Sequence, residues 1–366
     1  MQTQSNKLDF NGQNIYVGLD VHLKSWKVTI MTDYITHKTF SQPPKTEALY
    51  NYLERNFPGG VYHSAYEAGF CGYWIHNKLV SLGIKSMVVN PADVPTTNKE
   101  RVQKEDKRDS KKIARSLRNG ELTPIYTPSI KTLEDRALLR TRATVVKDLT
   151  RYKNRIKSFL YFHGIEIPEL FAKPQSHWSK RFMDWLESIE LPEESGKMSL
   201  NALLVESTHL RVSVLDLTRK LRKLSETDNY KTNVKLLRSI PGIGLITSMT
   251  ILTELEMISR FNNIDKLCSF IGLVPSTSSS GEKDRTGKIT PRGNGILRSA
   301  IVESSWVAVR NDPALMMSYL EYCKRMEPNK AIIRIAKKLL NRIKYVLKNN
   351  QPYVSGIVNN NQNPSL

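Results

Sequence analysis

Asp106 and Asp109 stand three residues apart in the stretch KERVQKEDKRDSKKIARSLR (99–118), among Lys104, Lys107, Arg108, Lys111 and Lys112. The following Ile113, Ala114 and Leu117 predict a helix, on which an i,i+3 pair faces one way. Two carboxylates on one face of a cationic helix could hold a hard divalent ion beside a phosphate drawn in by the neighbouring lysines and arginines. Taken alone, such a pair is more often a solvated helix face of mixed charge. Two further acids sharpen the pattern. Asp20 closes the β-rich run NIYVGLD, and Glu67 closes a later one, so both would project from strand ends, where α/β sheets carry their active sites.

The elements needed to position these acids are legible nearby. Asn14–Asp20, Lys24–Thr32 and Ile35–Phe40 read as three strands, followed by a helix over Lys45–Asn56 with Leu49, Tyr52 and Leu53 on one side. A strand Gly60–Tyr66, a helix Tyr73–Leu82 and a strand Ile84–Val89 come next. Hairpin-like strands followed by alternating helix and strand predict an α/β domain with a mixed sheet. Three strands, two strand-end acids and an acidic pair on a late helix is the layout of RNase H-like nucleases and RuvC-like resolvases. There, four carboxylates hold divalent metal for in-line attack on a phosphodiester.

The second half reads as mainly helical. Between Thr132 and His163 runs a long pattern without Gly or Pro, with Val145, Leu149, Tyr152, Ile156 and Phe159 in a coiled-coil-like seam. After an irregular segment containing Pro168, Pro174 and Pro192, a second such helix begins near Ser199 and carries Leu203, Leu210, Val214, Leu217, Leu221 and Leu224. The two could pair within the chain or across a dimer. LLRSIPGIGLITSMTILTEL (236–255) is similar to a helix–hairpin–helix. Its Gly242 and Gly244 would turn tightly and expose backbone N–H groups to phosphate.

A Ser/Gly-rich loop, 272–295, follows a helix over Phe261–Leu273. Its serines are succeeded by Lys283, Arg285, Lys288 and Arg292. Such loops are usually flexible connectors, but a serine before glycine, as Ser280 stands before Gly281, could approach a phosphate closely and act as nucleophile. Helices over Ile296–Arg310, Pro313–Met326 and Lys330–Leu347 follow. The Asn-, Gln- and Pro-rich tail from Asn349 reads as disordered.

Bulk properties choose the partner class. Lys and Arg number 55 against 35 Asp and Glu, a net charge of +20 that calls for a polyanion, with nucleic acid ahead of a membrane surface. Cys71, Cys268 and Cys323 lack zinc-site spacing and read as reduced thiols. No apolar run approaches a membrane span and the N-terminus lacks a signal-peptide core, so a cytoplasmic protein with no membrane partner is expected.

In order, GLD (Asp20), YEAG (Glu67), VVNP, KEDKRDS (Asp106, Asp109), SIPGIG, GLVPSTSSSGEKDRTGKITPRGN and LRSAIVESSW resemble the DEDD transposases of bacterial insertion sequences. That family includes the Piv/MooV-type DNA invertases and the bridge-RNA-guided recombinases. The resemblance covers roughly residues 14–347. It implies a RuvC-like domain over 1–145, a coiled-coil region over 146–230, a transposase domain over 231–348 and a tail over 349–366. It implies that Asp20, Glu67, Asp106 and Asp109 bind Mg²⁺, with Mn²⁺ as an alternative, and that Ser280 forms a phosphoserine linkage to DNA. It also implies dimers that pair into tetramers, a structured guide RNA, and DNA partners at the donor ends and the target. Where the family commonly has Thr and Ala around its acidic pair, this chain has Glu105 and Ser110. Ser278 and Ser279 leave the nucleophile open by one or two positions. The expected function is therefore serine-based transposition or recombination. A RuvC-like endonuclease using water, a Piv-like site-specific invertase, or a non-catalytic nucleic-acid-binding protein are the alternatives.

Overall fold

The computed structural model describes residues 9–95, 106–280 and 283–356; the side chains of 106–108, 277–280, 283–286 and 288 are outside that description. Two compact units form, Met1–Thr127 and Pro128–Leu366.

The first unit is a five-stranded mixed sheet with helices on both faces. Its strands are β1 (Asn14–Val21), β2 (Trp26–Met31), β3 (Thr36–Gln42), β4 (Val61–Glu67) and β5 (Lys85–Val89), in the order β3-β2-β1-β4-β5. The first three form an antiparallel meander, while β4 runs parallel to β1 and β5 parallel to β4. Each parallel step needs a crossover, supplied by α1 (Thr46–Asn56) and α2 (Trp74–Ser81).

The period-two alternation of a strand decides what each face does. Ile15, Val17 and Leu19 are fully buried on one face of β1, in a core with Trp26, Val28, Ile30, Leu49, Leu53, Ile75 and Leu79. Tyr16, Gly18 and Asp20 take the opposite face. That face is covered by α3 (Asp106–Arg118), whose Ile113 and Leu117 pack on Ala65 of β4 beside Tyr16 and Met87.

The second unit is mostly helical. The long helices α4 (Ile130–Phe162) and α6 (Glu194–Ser225) pack against each other, and every residue of the two expected apolar rows is buried or half-buried. Their shared end is closed by α5 (Lys180–Ser188), a helix inside the stretch expected to be irregular. Ser179 caps it, and Phe182 and Leu186, one turn apart, enter a cluster with Ile156, Leu160, Leu200 and Leu204. The remaining helices are α7 (Lys231–Arg238), α8 (Leu245–Leu255), α9 (Ile264–Ile271), α10 (Gly295–Asn311), α11 (Pro313–Cys323) and α12 (Pro328–Asn349). They share one core, to which α12 contributes Ile332, Ile335, Leu339, Ile343 and Val346 as its apolar stripe requires.

Two expectations are corrected here. The serine-bearing loop is a two-stranded antiparallel ribbon, β6 (Pro275–Ser280) and β7 (Lys283–Ile289), in which Ser280 pairs with Lys283. Cross-strand pairing satisfies backbone groups that an open loop would leave to solvent, and Thr277, Thr286 and Ile289 suit extended backbone. The tail is not disordered from Asn349. Tyr353 donates to the buried Asp312 at 2.7 Å, its own N–H donates to Ser239 Oγ at 2.7 Å, and burial, ahead of the Asp312 bond, pushes its phenol up to about 12. Residues 357–366 of that expected tail lie outside the described residues.

Among the described glycines of the first unit, Gly18 is the most closely approached. A Cβ there would stand 2.1 Å from the carbonyl oxygen of Ser110 and 2.4 Å from the N of Ala114, both backbone atoms of α3. Gly18→Ala should therefore push α3 off the sheet and cost about 3 kcal/mol, the upper end of overpacking penalties, because backbone cannot rotate away. Equilibrium urea unfolding measures it.

Candidate catalytic and nucleic-acid site

Strand register makes neighbours of two of the acids. The parallel pairing of β1 and β4 is last recorded at Leu19 and Tyr66, so Asp20 and Glu67 are the next residue on each of two neighbouring strands. Asp20 lies two residues beyond Gly18, and Glu67 two beyond Ala65, so both share the face that α3 covers. The helix is held there by more than packing. The buried Ser110 Oγ lies 2.9 Å from Thr29 Oγ1 of β2, which lies 2.9 Å from Thr39 Oγ1 of β3. The departure from the family's common Ala at this position thus ties the helix to the sheet by a hydroxyl link.

Lys112 completes this edge. Its ammonium lies 3.6 Å from Asp109 Oδ1 and 3.9 Å from Glu67 Oε1, and its side chain is only 11% exposed. On the other side of the edge, His22 Nε2 lies 3.1 Å from Asp20 Oδ2. A charge pair at 4 Å gains at most about 4 kcal/mol at an effective dielectric of ~20. Even after solvent screening of the partly exposed acids, that is comparable with the ~2 kcal/mol of rotamer entropy a fixed lysine gives up.

The carboxylates of Asp20, Glu67 and Asp109 are hard oxygen donors, so by donor chemistry they suit a divalent ion, and the Lys112 ammonium stands between two of them. Among the described residues no three His, Cys, Asp or Glu close on a single point. Asp106 begins α3, and its side chain, with those of Lys107 and Arg108, lies outside the described residues, as does Lys104. Lys111 is exposed.

In the second unit the side chains of Ser280, Lys283, Arg285 and Lys288 are outside the described residues, but the base of their ribbon is defined. Arg298 donates to the carbonyls of Thr290 at 2.7 Å and Gly272 at 3.3 Å. Gly272 and Gly293 cross so closely that a Cβ on either would meet backbone under 3 Å away, and both have positive φ. Asn294 caps α10 and donates to Glu254 Oε2 at 2.7 Å. Glu254, buried on the apolar α8, also takes a two-bond clamp from Arg140 of α4, each bond 2.9 Å long. One carboxylate therefore joins the long helix, α8 and the foot of the serine ribbon. Arg292 is exposed at that foot.

The PGIG turn connects α7 to α8, and its two glycines have different surroundings. A Cβ on Gly242 would meet the Ser304 carbonyl of α10 at 2.3 Å, whereas Gly244, the N-cap of α8, faces open space. Gly242 is thus required by helix packing, and Gly244 is the one exposed at a helix N-terminus.

Sequence reasoning counted Lys112 only among the cations that would draw in a phosphate, and it passed over His22, Arg298 and the Glu254 network. A signal existed for two of these. Lys112 follows Asp109 by one helical turn, and Glu254 is a lone acid in an apolar helix. Replacing Glu254 with Gln should cost about 3 kcal/mol in urea unfolding, near the low end for breaking a buried ion pair because Arg140 is half exposed.

Known proteins resemble this chain over the same stretches. The IS110 DEDD model, described as "Transposase", matches residues 17–164, which contain all four candidate acids, and the "Transposase IS116/IS110/IS902 family" model matches 234–321, which contain the glycine turn and the serine ribbon. The chain is 30% identical over 241 residues to the transposase candidate y4qE of Sinorhizobium fredii, covering 66% of this chain and 57% of that one. It is 25% identical to the transposase for insertion sequence element IS1533 of Leptospira borgpetersenii (69% and 72%) and 25% identical to that for IS1111A of Coxiella burnetii (66% and 64%). The aligned stretch thus spans between 57% and 72% of these relatives. Two family models in the right order, one over residues 17–164 and one over 234–321, place the chain among the DEDD-type IS110-family transposases.

Proposed function

We propose that this chain is a DNA transposase or recombinase of a bacterial insertion sequence that joins DNA strands through a serine-linked intermediate. The observation that carries the reading is the packing of α3 on the face of β1 and β4 that ends in Asp20 and Glu67, with Asp109 and Glu67 sharing the Lys112 ammonium. Asp20, Glu67, Asp106 and Asp109 would hold Mg²⁺, or Mn²⁺ in its place. Such an ion, when bound, stabilises charge that builds on phosphate oxygens and on the leaving oxygen.

The chain's own groups do the rest. The Ser280 hydroxyl gives up its proton as Oγ bonds to phosphorus and the bond from phosphorus to a deoxyribose oxygen breaks, and that oxygen takes up a proton and leaves as a hydroxyl. Attack by a deoxyribose hydroxyl on the phosphoserine reverses the exchange with a new strand, so bond energy is conserved and no ATP is needed. The backbone pairing of the β6–β7 ribbon, with its foot held by Arg298 and Asn294, is consistent with a role in presenting residues to DNA. Lys104, Lys107, Arg108, Lys111, Lys283, Arg285, Lys288 and Arg292 would bind the DNA backbone, consistent with the net charge of +20. Gly244 would form a helix–hairpin–helix-like phosphate contact at the open N-terminus of α8, with Gly242 shaping the turn through its packing on α10.

The partition into a catalytic domain (1–145), a coiled-coil region (146–230) and a transposase domain (231–348) is part of the proposal, with α4 running through the first boundary. So are a dimer pairing into a tetramer and selection of donor and target DNA by a structured guide RNA, which would leave base reading to nucleic-acid pairing.

A denaturing-gel assay for a covalent protein–DNA adduct tests the reading. With Mg²⁺, cognate element DNA and copurifying RNA, wild type should form the adduct and Ser280→Ala should not. Asp109→Asn should lower adduct formation on the order of 10²-fold, the scale of losing one preorganised charge-stabilising group. Loss in Ser279→Ala or Ser278→Ala instead would move the nucleophile. Cleaved DNA without any adduct would replace the serine mechanism with water attack.

A further inference from the structure

Lys111 and Lys112 are adjacent on α3, yet the first is exposed while the second keeps only 11% of its side chain in solvent. A lysine on a solvated helix face extends its ammonium into water. Lys112 instead directs it to Asp109 of its own helix and to Glu67 of β4, reaching both from one nitrogen. The two acids lie on different elements, so without a shared cation they would be like charges held together by the fold.

We propose that Lys112 is a positioning residue of the acidic site: a resident counter-cation that holds Glu67 and Asp109 in the metal-free protein and is displaced when a divalent ion enters. The proposal rests on the reading of these acids as metal ligands. It makes ion uptake an exchange of cations rather than a simple addition. The lysine keeps the empty site from repelling itself apart, and it weakens ion binding by the same interaction.

The test uses the full chain, freed of metal with EDTA and titrated with Mn²⁺ alone, binding being followed by electron paramagnetic resonance without DNA. Lys112→Met should bind Mn²⁺ about three- to ten-fold more tightly than wild type, the scale of removing one partly screened like charge. Its melting temperature in EDTA should fall and recover on adding Mn²⁺, while Lys112→Arg stays near wild type in both measurements. A purely structural lysine would lower the melting temperature without tightening Mn²⁺. Unchanged or weaker Mn²⁺ binding by folded Lys112→Met would overturn the proposal, and Lys112→Gln carries the same expectation should the Met variant not fold. Asp109→Asn separates the two levels of argument. If it loses Mn²⁺ while Lys112→Met does not gain affinity, only the role of Lys112 fails. If it binds Mn²⁺ as wild type does, the metal-site reading fails and the Lys112 proposal with it.

Discussion

The backbone of α3 touches the backbone of β1 at Gly18, and the geometry of the acidic edge depends on that contact. Where a Cβ would stand, the helix places the Ser110 carbonyl and the Ala114 amide. Any other residue would lift the helix by the width of a side chain, and Asp109 and Lys112 would rise with it. The Ser110–Thr29 hydroxyl link fixes the helix along the sheet, so height and register are set by separate interactions. In the proposed metal site a carboxylate misplaced by about 1 Å would lose much of its effect, so a helix locked to a strand suits it better than a loop.

The second unit solves a similar problem with charge instead of close packing. Glu254 would be costly to bury alone, but Arg140, Arg136 and Asn294 surround it. Its partners come from α4 and from the residue that caps α10, so the network exists only when those elements are assembled. The Gly272–Gly293 crossing and the Arg298 donors then close the foot of the ribbon. A polar, serine-rich strand pair with little apolar surface of its own gains a fixed origin in this way.

Charge also divides the labour of the molecule. The chain carries a large excess of cations suited to a polyanion, while the edge formed by Asp20, Glu67 and Asp109 concentrates the opposite sign. A bare acidic edge would repel a phosphate backbone. A cation lodged in it, Lys112 in the structure, reduces that repulsion.

Sequence by itself determined the elements and most of the candidate chemistry. Alternation in NIYVGLD marks a strand with Asp20 at its end, heptad-like spacing marks the two long helices, and the ordered motifs identify the family. These signals are local, since side-chain periodicity follows from backbone geometry within a few residues. The ribbon around Ser280 was missed because Ser- and Gly-rich chain has no strong preference of its own, and its pairing partner and anchors decide its form. Only the tertiary structure decided that Asp20 and Glu67 are neighbours, through the parallel register of β1 and β4. It alone decided that Lys112 turns inward while Lys111 does not, and that Gly242 serves packing while Gly244 stays open. Each of these depends on which surface a residue meets across the fold, and spacing along the chain carries no record of that.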